Sequence, residues 1–311
     1  MEQPLLTIAI PTYNRARLLD TCLNSILSQV NTEISNDIEV IVSDNDSPDN
    51  TTNIVEKYIN TGHKITYTKR PENIGADRNI AACFLKASGK YVWLFSDDDL
   101  LLPGYLKFIF DLLNNNDFGN LYLNGLWYNE VYENNTEAPV KINFEKFDDP
   151  LLFIEKVNFW LTFITGNIIN KSLFTEQIDV SAFYESNLGH LSWILPSVFK
   201  GKQNAIISDK VIACKENNTG GYNLLKVFGQ NFNNVMDMLI TRRLIDKKVK
   251  RIINQHLLNS FFPMFIYKPN GKFETENSFK IMIPIYWSYY TFWRSIFPAL
   301  FQYQNVKTKN G

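Results

Sequence analysis

The sequence predicts an α/β protein whose mostly parallel sheet is covered by helices on both faces. Short apolar runs alternate with amphipathic segments about every 25 residues, from residue 5 to about 113, which is typical of repeated strand and helix units. The run from Tyr91 to Phe95 contains only apolar and aromatic residues, as expected for a strand that is buried on both faces. Strands of this kind occur mainly in parallel sheets.

Each element follows from a local pattern. Leu19, Cys22 and Leu23 recur at helical spacing after the first apolar run. The turn Ser47-Pro-Asp-Asn50 supplies N-cap residues for a second helix, and Pro103 suits the first turn of a fourth. The predicted strands are 6–10, 38–42, 65–68 and 91–95, the predicted helices are 15–30, about 50–58, 74–87 and 103–113, and the chain continues with a return of two strands at 205–214 and a mainly helical segment at 227–253.

Composition excludes several classes of protein. The 31 basic and 32 acidic residues nearly cancel, which argues against a nucleic-acid partner bound through a basic surface. Cys22, Cys83 and Cys214 lack metal-binding spacing and lie in apolar contexts, so we expect buried thiols in a reducing, cytoplasmic compartment. No apolar run reaches about 18 residues, so no membrane span is expected, and the apolar run 5–10 is too short for the core of a signal peptide.

The buried strand 91–95 runs directly into Ser96 and the three carboxylates Asp97, Asp98 and Asp99. Three like charges at the edge of a core repel one another unless a cation lies among them. Mn²⁺ or Mg²⁺ is the cation that this cluster suggests, because both take hard oxygen ligands together with substrate phosphates. The alternative is a polar turn that caps the following helix.

Polar residues also follow the other predicted strands. Thr12, Tyr13, Asn14 and Arg15 come after the first strand, and the Asp44-Asn-Asp46 run comes after the second. Ligands bind at the carboxyl ends of strands in such sheets, so these residues are expected to share one rim with the acidic cluster. The sequence contains neither a Gly-x-Gly-x-x-Gly nor a P-loop pattern, which argues against a dinucleotide-binding Rossmann enzyme and a P-loop NTPase.

Four motifs follow one another along the first third of the chain. They are Ile10-Pro-Thr-Tyr-Asn-Arg15, Val40-Ile-Val-Ser-Asp-Asn-Asp-Ser-Pro-Asp49, Asn73-Ile-Gly-Ala-Asp-Arg-Asn79 and Phe95-Ser-Asp-Asp-Asp99. In this order they resemble glycosyltransferase family 2, the inverting nucleotide-sugar enzymes with the GT-A fold. The similarity covers roughly residues 5–220, and its details look most like the abequosyltransferase-like branch of O-antigen enzymes, because of Asp-Arg-Asn at 77–79, Trp93 and His190.

The resemblance implies a role for each motif. It implies that Asp44 accepts a hydrogen bond from the nucleotide base, with an Asx turn as the alternative. It implies that Arg78 lies near the nucleotide, with a surface salt bridge as the alternative. Ser96 departs from the family's Asp-x-Asp motif, which leaves open whether Asp97 or Asp99 contacts the ribose. The remaining implied nucleotide-sugar contacts are Pro11, Thr12, Tyr13, Asn14, Arg15, Asp46, Asn79 and Asp97, and the implied metal contacts are Asp98 and Asp99.

The catalytic base is predicted to be His190, with Glu185 as the second candidate. Many members of the family use the Asp of a Glu-Asp pair, and this chain has Leu188-Gly-His-Leu-Ser-Trp193 at the expected place. An unperturbed histidine has a pKa of about 6.5, which suits proton acceptance near neutrality. A hydrogen-bonded histidine at a helix start is the structural alternative. Trp127, Trp160 and Trp193 are candidates for stacking on sugar faces, with ordinary packing as the alternative.

We predict two domains, a GT-A domain at 1–220 and a helical extension at 221–311, with a lid at Asn217–Gly221. The aromatic segment 281–301 suits a membrane interface, and a helix packed on the catalytic domain or against a dimer partner is the alternative. The expected partners are a nucleoside-diphosphate sugar and a glycan or lipid-linked acceptor. A nucleotidyltransferase and a degenerate glycan-binding protein are the competing interpretations.

Overall fold

The computed structural model describes residues 3–129, 132, 140–174, 179–216, 223–267 and 278–301. These residues contain one nine-stranded sheet. Its strands are β1 (Leu6–Thr12), β2 (Ile38–Asp44), β3 (Ile65–Lys69), β4 (Tyr91–Leu94), β5 (Leu100–Leu101), β6 (Phe118–Tyr128), β7 (Phe144–Phe147), β8 (Asn167–Asn170) and β9 (Gln203–Lys215). The α-helices are α1 (Ala16–Leu27), α2 (Thr51–Asn60), α3 (Ala76–Lys86), α4 (Tyr105–Asn114), α5 (Pro150–Val157), α6 (Leu191–Lys200), α7 (Phe232–Thr241), α8 (Lys248–His256), α9 (Phe262–Tyr267) and α10 (Ser278–Tyr286).

The strand order is β3-β2-β1-β4-β8-β6-β9-β5, with β7 also paired to β9. The first four strands in this order are parallel, which confirms the predicted parallel sheet. Beyond β4 the sheet is mixed, because β8 pairs antiparallel to both β4 and β6, and β9 runs parallel to β6. The carboxyl ends of β1, β2 and β4 therefore meet on one rim.

The two faces of the sheet carry two hydrophobic cores. Ile8 and Ile10 of β1 join Leu19 of α1 in one core, whereas Ala9 joins Phe84 of α3 in the other. This alternation follows from the pleat of a strand, which sends successive side chains to opposite faces. Helices on both faces explain why every residue of β4 is buried.

One strand prediction is wrong. Residues 205–214 form part of the single strand β9 instead of a return of two strands. The pairing of β9 with β6 shifts between Leu123 and Asn124, so that Ser208 and Asp209 bulge out of the ladder and the strand continues. Asn124 stabilises the bulge by donating its side-chain amide to the Ile207 carbonyl at 2.8 Å.

The C-terminal helices pack on the rest of the chain. Phe261 lies 5.2 Å from Phe159, ring centroid to centroid, which joins the π-helical turn Leu257–Phe261 to the segment after α5. The predicted helical run 227–253 is interrupted after α7, where Arg243 adopts a φ of 57°. The predicted domain boundary at 220 and the predicted lid lie outside the described residues, so both stay predictions.

The segment 281–301 is buried on one side and exposed on the other. Met282, Phe292 and Ile296 have no exposed surface, whereas Trp287 and Tyr290 are 65% and 76% exposed. Among the described residues, none of the helices has the length and apolar character needed to cross a bilayer. The helical conformation of this segment agrees with the helical extension that the sequence predicts.

Candidate active site

The acidic cluster Asp97, Asp98 and Asp99 lies in the segment that follows β4, at the rim where the parallel strands end. All three side chains are buried. A turn at Asp97 and Asp98 follows the strand, and the Asp99 N–H donates to the Ser96 carbonyl at 3.2 Å. The turn brings the carboxylates close to the residues that follow β1.

Two residues after β1 hold the first part of the cluster. The Thr12 hydroxyl donates to Asp97 Oδ2 at 2.7 Å. The Arg15 guanidinium donates from Nη1 to Asp97 Oδ1 at 3.0 Å and to Asp98 Oδ2 at 3.2 Å. The structure therefore brings together four of the predicted site residues through direct contacts.

Asp99 has a different set of partners. Its Oδ2 accepts from the Thr165 hydroxyl at 2.6 Å, and its Oδ1 accepts from the Lys215 backbone N–H at 3.3 Å. In an extended segment Asp97 and Asp99 would share a face and Asp98 would point away from them, unless a turn intervenes. A turn does intervene here, and both Asp97 and Asp98 accept hydrogen bonds from the Arg15 guanidinium.

Ser96, which departs from the family motif, has a clear structural role. Its hydroxyl donates to Asp98 Oδ1, and its backbone N–H donates to the Thr165 hydroxyl oxygen at 3.0 Å. Tyr128 adds a contact from β6, since its hydroxyl donates to the Asp98 carbonyl at 3.0 Å. Ser96, Thr165 and Tyr128 therefore fix the conformation of the acidic turn.

The cluster holds more buried negative charge than Arg15 balances. Burial raises the pKa of Asp97 to about 6, although Arg15 acts against that rise. Burial together with the charge of Asp98 raises the pKa of Asp99 to about 7. Burial lowers the pKa of Arg15, but the three carboxylates outweigh this and the net shift is upward. A further positive charge at the cluster would relieve this repulsion.

The donor set suits a hard divalent cation that a substrate helps to hold. Within the described part of the chain, no group of three His, Cys, Asp or Glu side chains is arranged to hold an ion by itself. Mg²⁺ sites commonly use one or two carboxylates and complete the shell with waters and substrate phosphates. The excess of buried carboxylate oxygen at Asp97, Asp98 and Asp99 fits that pattern.

Asp44 lies at the end of β2, in register with Thr12 of β1. Its Oδ2 accepts from the Tyr67 hydroxyl at 2.7 Å and its Oδ1 accepts from the Ser47 N–H at 2.8 Å. The side chain is fully buried in this arrangement. The geometry supports the turn-forming alternative, and the predicted contact between Asp44 and a base stays a prediction.

The turns after β1 and β2 are bonded to each other. Asn14 and Asp46 adopt left-handed φ values of 54° and 66°, which Asn and Asp tolerate better than most residues. The Asn14 N–H donates to the Ser47 hydroxyl at 2.8 Å. Tyr13 is exposed and Pro11 is half-buried beside these turns. The predicted nucleoside-binding residues therefore form one continuous rim.

Asn79 and Arg78 lie side by side on α3 but have different environments. Asn79 is buried, accepts from the Ser43 hydroxyl at 2.7 Å and donates to the Ser43 carbonyl at 2.9 Å, so it joins α3 to β2. Arg78 is half-exposed, lies 5.1 Å from the Tyr184 ring centroid and pairs with Glu185 at 3.6 Å. Arg78 thus faces the loop that carries the candidate bases.

Asp77 organises that loop, and sequence reasoning missed it. It accepts from the Asn187 N–H at 2.9 Å and from three further backbone N–H groups, at Gly189, Glu185 and Ser186. Burial nonetheless raises the net pKa of Asp77. Glu185 and Asn187 have left-handed φ values of 67° and 57°, which orient their N–H groups for this carboxylate. Nothing local in the sequence reveals a partner 110 residues away.

The two candidate bases differ in exposure. The side chain of Glu185 is 84% exposed beside Arg78. His190 is buried at the start of α6, and its Nε2 donates to the Thr162 carbonyl at 2.9 Å. Burial lowers the pKa of His190 to about 4, so the ring is neutral near pH 7. The described contacts of His190 include none of the other predicted site residues, and its geometry favours the structural alternative.

The three tryptophans suggested for sugar stacking also differ in exposure. Trp193 is buried and stacks on Phe84 at 4.5 Å with ring planes 4° apart, so it is a core residue. Trp127 and Trp160 remain partly exposed, with ring centroids 5.9 Å apart. Cys22, Cys83 and Cys214 are buried free thiols, as predicted.

Comparison with solved structures defines the fold class. The chain superposes on Staphylococcus aureus TarS, residues 1–349, in complex with UDP-GlcNAc, with a TM-score of 0.63 and 18% identity. The match covers 88% of this chain and 77% of TarS. At this identity the similarity establishes the fold alone. The predicted GT-A fold is confirmed.

The family follows from the sequence itself. The model of the family described as Glycosyl transferase family 2 matches residues 7–174, which is more than half of the chain. The chain therefore belongs to glycosyl transferase family 2, as the four motifs predict.

Two relatives illustrate the range of this similarity. Abequosyltransferase RfbV of Salmonella typhimurium is 38% identical over 106 residues, which cover 34% of this chain and 31% of RfbV. The GalNAc(5)-diNAcBac-PP-undecaprenol beta-1,3-glucosyltransferase of Campylobacter jejuni is 33% identical over 112 residues, which cover 36% of this chain and 35% of that enzyme. The similarity thus spans about a third of the length of each relative.

Proposed function

We propose that the protein is an inverting, metal-dependent glycosyltransferase. It moves a sugar from a nucleoside diphosphate to a glycan or polyprenyl-linked oligosaccharide during synthesis of a surface polysaccharide such as O-antigen or capsule. The observation that carries the proposal is the buried cluster Asp97, Asp98 and Asp99 at the strand ends of a family 2 domain. The names of relatives such as the undecaprenol-linked glucosyltransferase support the class of acceptor.

The donor lies along the rim of β1, β2 and β4 in this proposal. Asp98 and Asp99 hold Mn²⁺ or Mg²⁺, which when bound neutralises the charge of the diphosphate leaving group. Arg15 and Thr12 keep Asp97 and Asp98 in place through the contacts at 2.7 to 3.2 Å. Asp44, Asp46 and the turn 11–15 line the nucleoside, with Arg78 and Asn79 on the neighbouring wall.

The reaction is an in-line displacement at the anomeric carbon. The acceptor oxygen forms a bond to that carbon, the carbon–phosphate oxygen bond breaks, and the acceptor proton passes to a protein base. We assign this base to Glu185 in preference to His190, because its carboxylate is exposed and the His190 ring is buried. Arg78, 3.6 Å away, orients the Glu185 side chain.

Donor binding tests the class of enzyme. In thermal unfolding with Mn²⁺ and a panel of UDP-, dTDP-, CDP- and GDP-sugars, one nucleotide should raise the Tm by several degrees at saturation, because a ligand that binds only the folded state stabilises it. Asp98→Asn should lose most of the Mn²⁺-dependent part of that shift. No shift with any donor would contradict the proposal, and pyrophosphate release from a nucleoside triphosphate and a sugar phosphate would favour a nucleotidyltransferase instead.

Two variants separate the candidate bases. Glu185→Gln should lower the rate of transfer about 10²-fold or more while donor binding persists, which is the usual scale for losing a general base. His190→Gln keeps a donor for the Thr162 carbonyl and should retain most of the transfer rate. The opposite result would restore His190 as the base.

The exposed aromatic residues of the C-terminal segment support a peripheral membrane contact at the cytoplasmic face. Trp287, Tyr290 and Trp293 all present partly exposed rings, and such amphipathic rings favour the headgroup region of a bilayer. The wild type should sediment with anionic liposomes, and Trp287→Ser combined with Trp293→Ser should weaken that binding. A concentration-dependent dimer that the same substitutions dissociate would favour the partner interface instead.

A further inference from the structure

Two indole rings form a half-exposed surface on segments that adjoin the acidic cluster in the chain. Trp127 at the end of β6 is 49% exposed and Trp160 in the 3-10 turn after α5 is 37% exposed. Their ring centroids lie 5.9 Å apart with planes tilted by 40°. Phe163 lies 6.0 Å from Trp127, and we call these three residues the aromatic platform. Contiguous exposed aromatic surface of this kind marks a binding site more often than isolated exposed residues do.

The platform packs against aromatic residues of the protein interior. Phe159 is buried, lies 4.9 Å from Trp160 and packs against Phe261 of the C-terminal helices at 5.2 Å. Phe261 in turn lies 4.5 Å from Phe228. Because the rings are held by this packing, a ligand that stacks on them loses little of its binding energy to ordering side chains.

The chain on either side of the platform bonds directly to the acidic cluster. Trp127 pairs with Cys214 of β9, and the next residue, Lys215, donates its backbone N–H to Asp99 Oδ1 at 3.3 Å. Phe163 lies two residues before Thr165, which donates to Asp99 at 2.6 Å. The segments that carry the platform therefore adjoin the rim where the donor is proposed to bind.

The chemistry of the platform suits a neutral ring. A donor diphosphate needs cations and hydrogen-bond donors, and the acidic rim with its proposed metal supplies that kind of site. Aromatic faces instead pack against the apolar C–H faces of a pyranose, while the hydroxyl groups at its edge remain in water. The platform thus provides an apolar surface for an acceptor sugar, which the acidic rim does not provide.

We propose that Trp127 and Trp160 form the acceptor subsite and stack on a pyranose ring of the acceptor glycan. This assignment rests on the proposed glycosyltransferase function, since it uses the neighbouring rim as the donor site. Phe163 supports Trp127, and Phe159 supports Trp160.

Sugar binding by the full chain tests the platform. Saturation-transfer NMR with a panel of methyl hexopyranosides and methyl N-acetylhexosaminides, with UDP and Mn²⁺ present, should detect at least one bound sugar. Trp127→Ala and Trp160→Ala should each weaken that binding by about threefold to tenfold, the scale expected for losing one aromatic stacking contact. Phe144→Ala, which removes an exposed aromatic side chain from β7, is the control and should bind as the wild type does.

The outcomes distinguish the two proposals. If no sugar binds the wild type, or if both platform variants bind as tightly as the wild type, the acceptor subsite is refuted while the donor Tm shifts stand. If no donor shifts the Tm, the glycosyltransferase function fails, whatever the platform binds. If the platform variants keep sugar binding and lose binding to vesicles of anionic phospholipid, the platform is a lipid contact and the acceptor assignment is overturned.

Discussion

Arg15 at the start of α1 lies 3.0 Å from Asp97 beyond the end of β4, and this pair joins two polar turns 82 residues apart. The guanidinium also reaches Asp98, so one cation serves two buried carboxylates. Its side chain keeps 34% of its surface exposed, whereas each carboxylate keeps 4%. Arg15 therefore links the turn after β1 to the acidic turn and balances only part of the negative charge of that turn.

Arg15→Gln should destabilise the metal-free protein. Without the guanidinium the buried carboxylates Asp97 and Asp98 lose their charged partner, and we expect a decrease of about 2 kcal/mol in the free energy of unfolding, a value reduced from that of a fully buried pair because Arg15 is partly exposed. Urea unfolding in EDTA measures this. Arg17→Gln removes an exposed arginine two residues later and should change stability by less than about 0.5 kcal/mol. Equal losses of stability in the two variants would contradict the idea that Arg15 stabilises the buried Asp97 and Asp98 carboxylates.

Thr165→Val should damage the acidic turn without changing the volume of the side chain much. The hydroxyl donates to Asp99 and accepts from the Ser96 N–H, so its loss leaves two buried polar groups without these bonds. We expect a loss of about 1–3 kcal/mol in the free energy of unfolding. Thr165→Ser keeps the hydroxyl and should recover most of that loss in the same urea titration. A serine variant as unstable as the valine variant would mean that the methyl group, not the hydroxyl, matters.

Asp77→Asn should loosen the loop that carries Glu185. The neutral amide is a weaker acceptor for the loop N–H groups than the carboxylate, so we expect faster hydrogen exchange at residues 185–189 and a loss of about 1–2 kcal/mol in stability. Asp111→Asn, which changes a half-exposed aspartate on α4, should leave exchange in this loop unchanged. Identical exchange in the wild type and Asp77→Asn would show that the backbone alone holds the loop.

His190 should make the protein sensitive to acid. Its pKa is about 4 in the folded state and about 6.5 in an unfolded chain, so the unfolded state binds more protons between these two pH values. The free energy of unfolding should therefore fall as pH decreases from 6.5 to 4, by roughly 3 kcal/mol for this group alone. Urea unfolding over this pH range should give a smaller decrease for His190→Gln than for the wild type.

His63→Gln is the control for this titration, because it changes a half-buried histidine that lies far along the sequence from His190. It should retain the pH dependence of the wild type. If His190→Gln also retains it, the buried ring is not the source of the acid sensitivity.

The elements of the parallel half could be predicted because their signals are local. The helical spacing of Leu19, Cys22 and Leu23 and the uninterrupted apolar run of β4 each lie within one element. The single strand β9 could not be predicted in the same way. Ser208 and Asp209 have the composition of a turn, and only pairing with β6 shows that they form a bulge in a continuous strand.

Patterns within short stretches of chain are enough to predict the family, the parallel strands and the order of polar residues at their ends. Which of these residues touch depends on the tertiary structure. Thr165 meets Asp99 across 66 residues and Asp77 meets the loop at Asn187 across 110, and no local pattern encodes either distance. The exposure of the three tryptophans also depends on the tertiary structure. Trp193 is buried whereas Trp127 and Trp160 are partly exposed, because burial depends on which side chains of other elements pack against each ring.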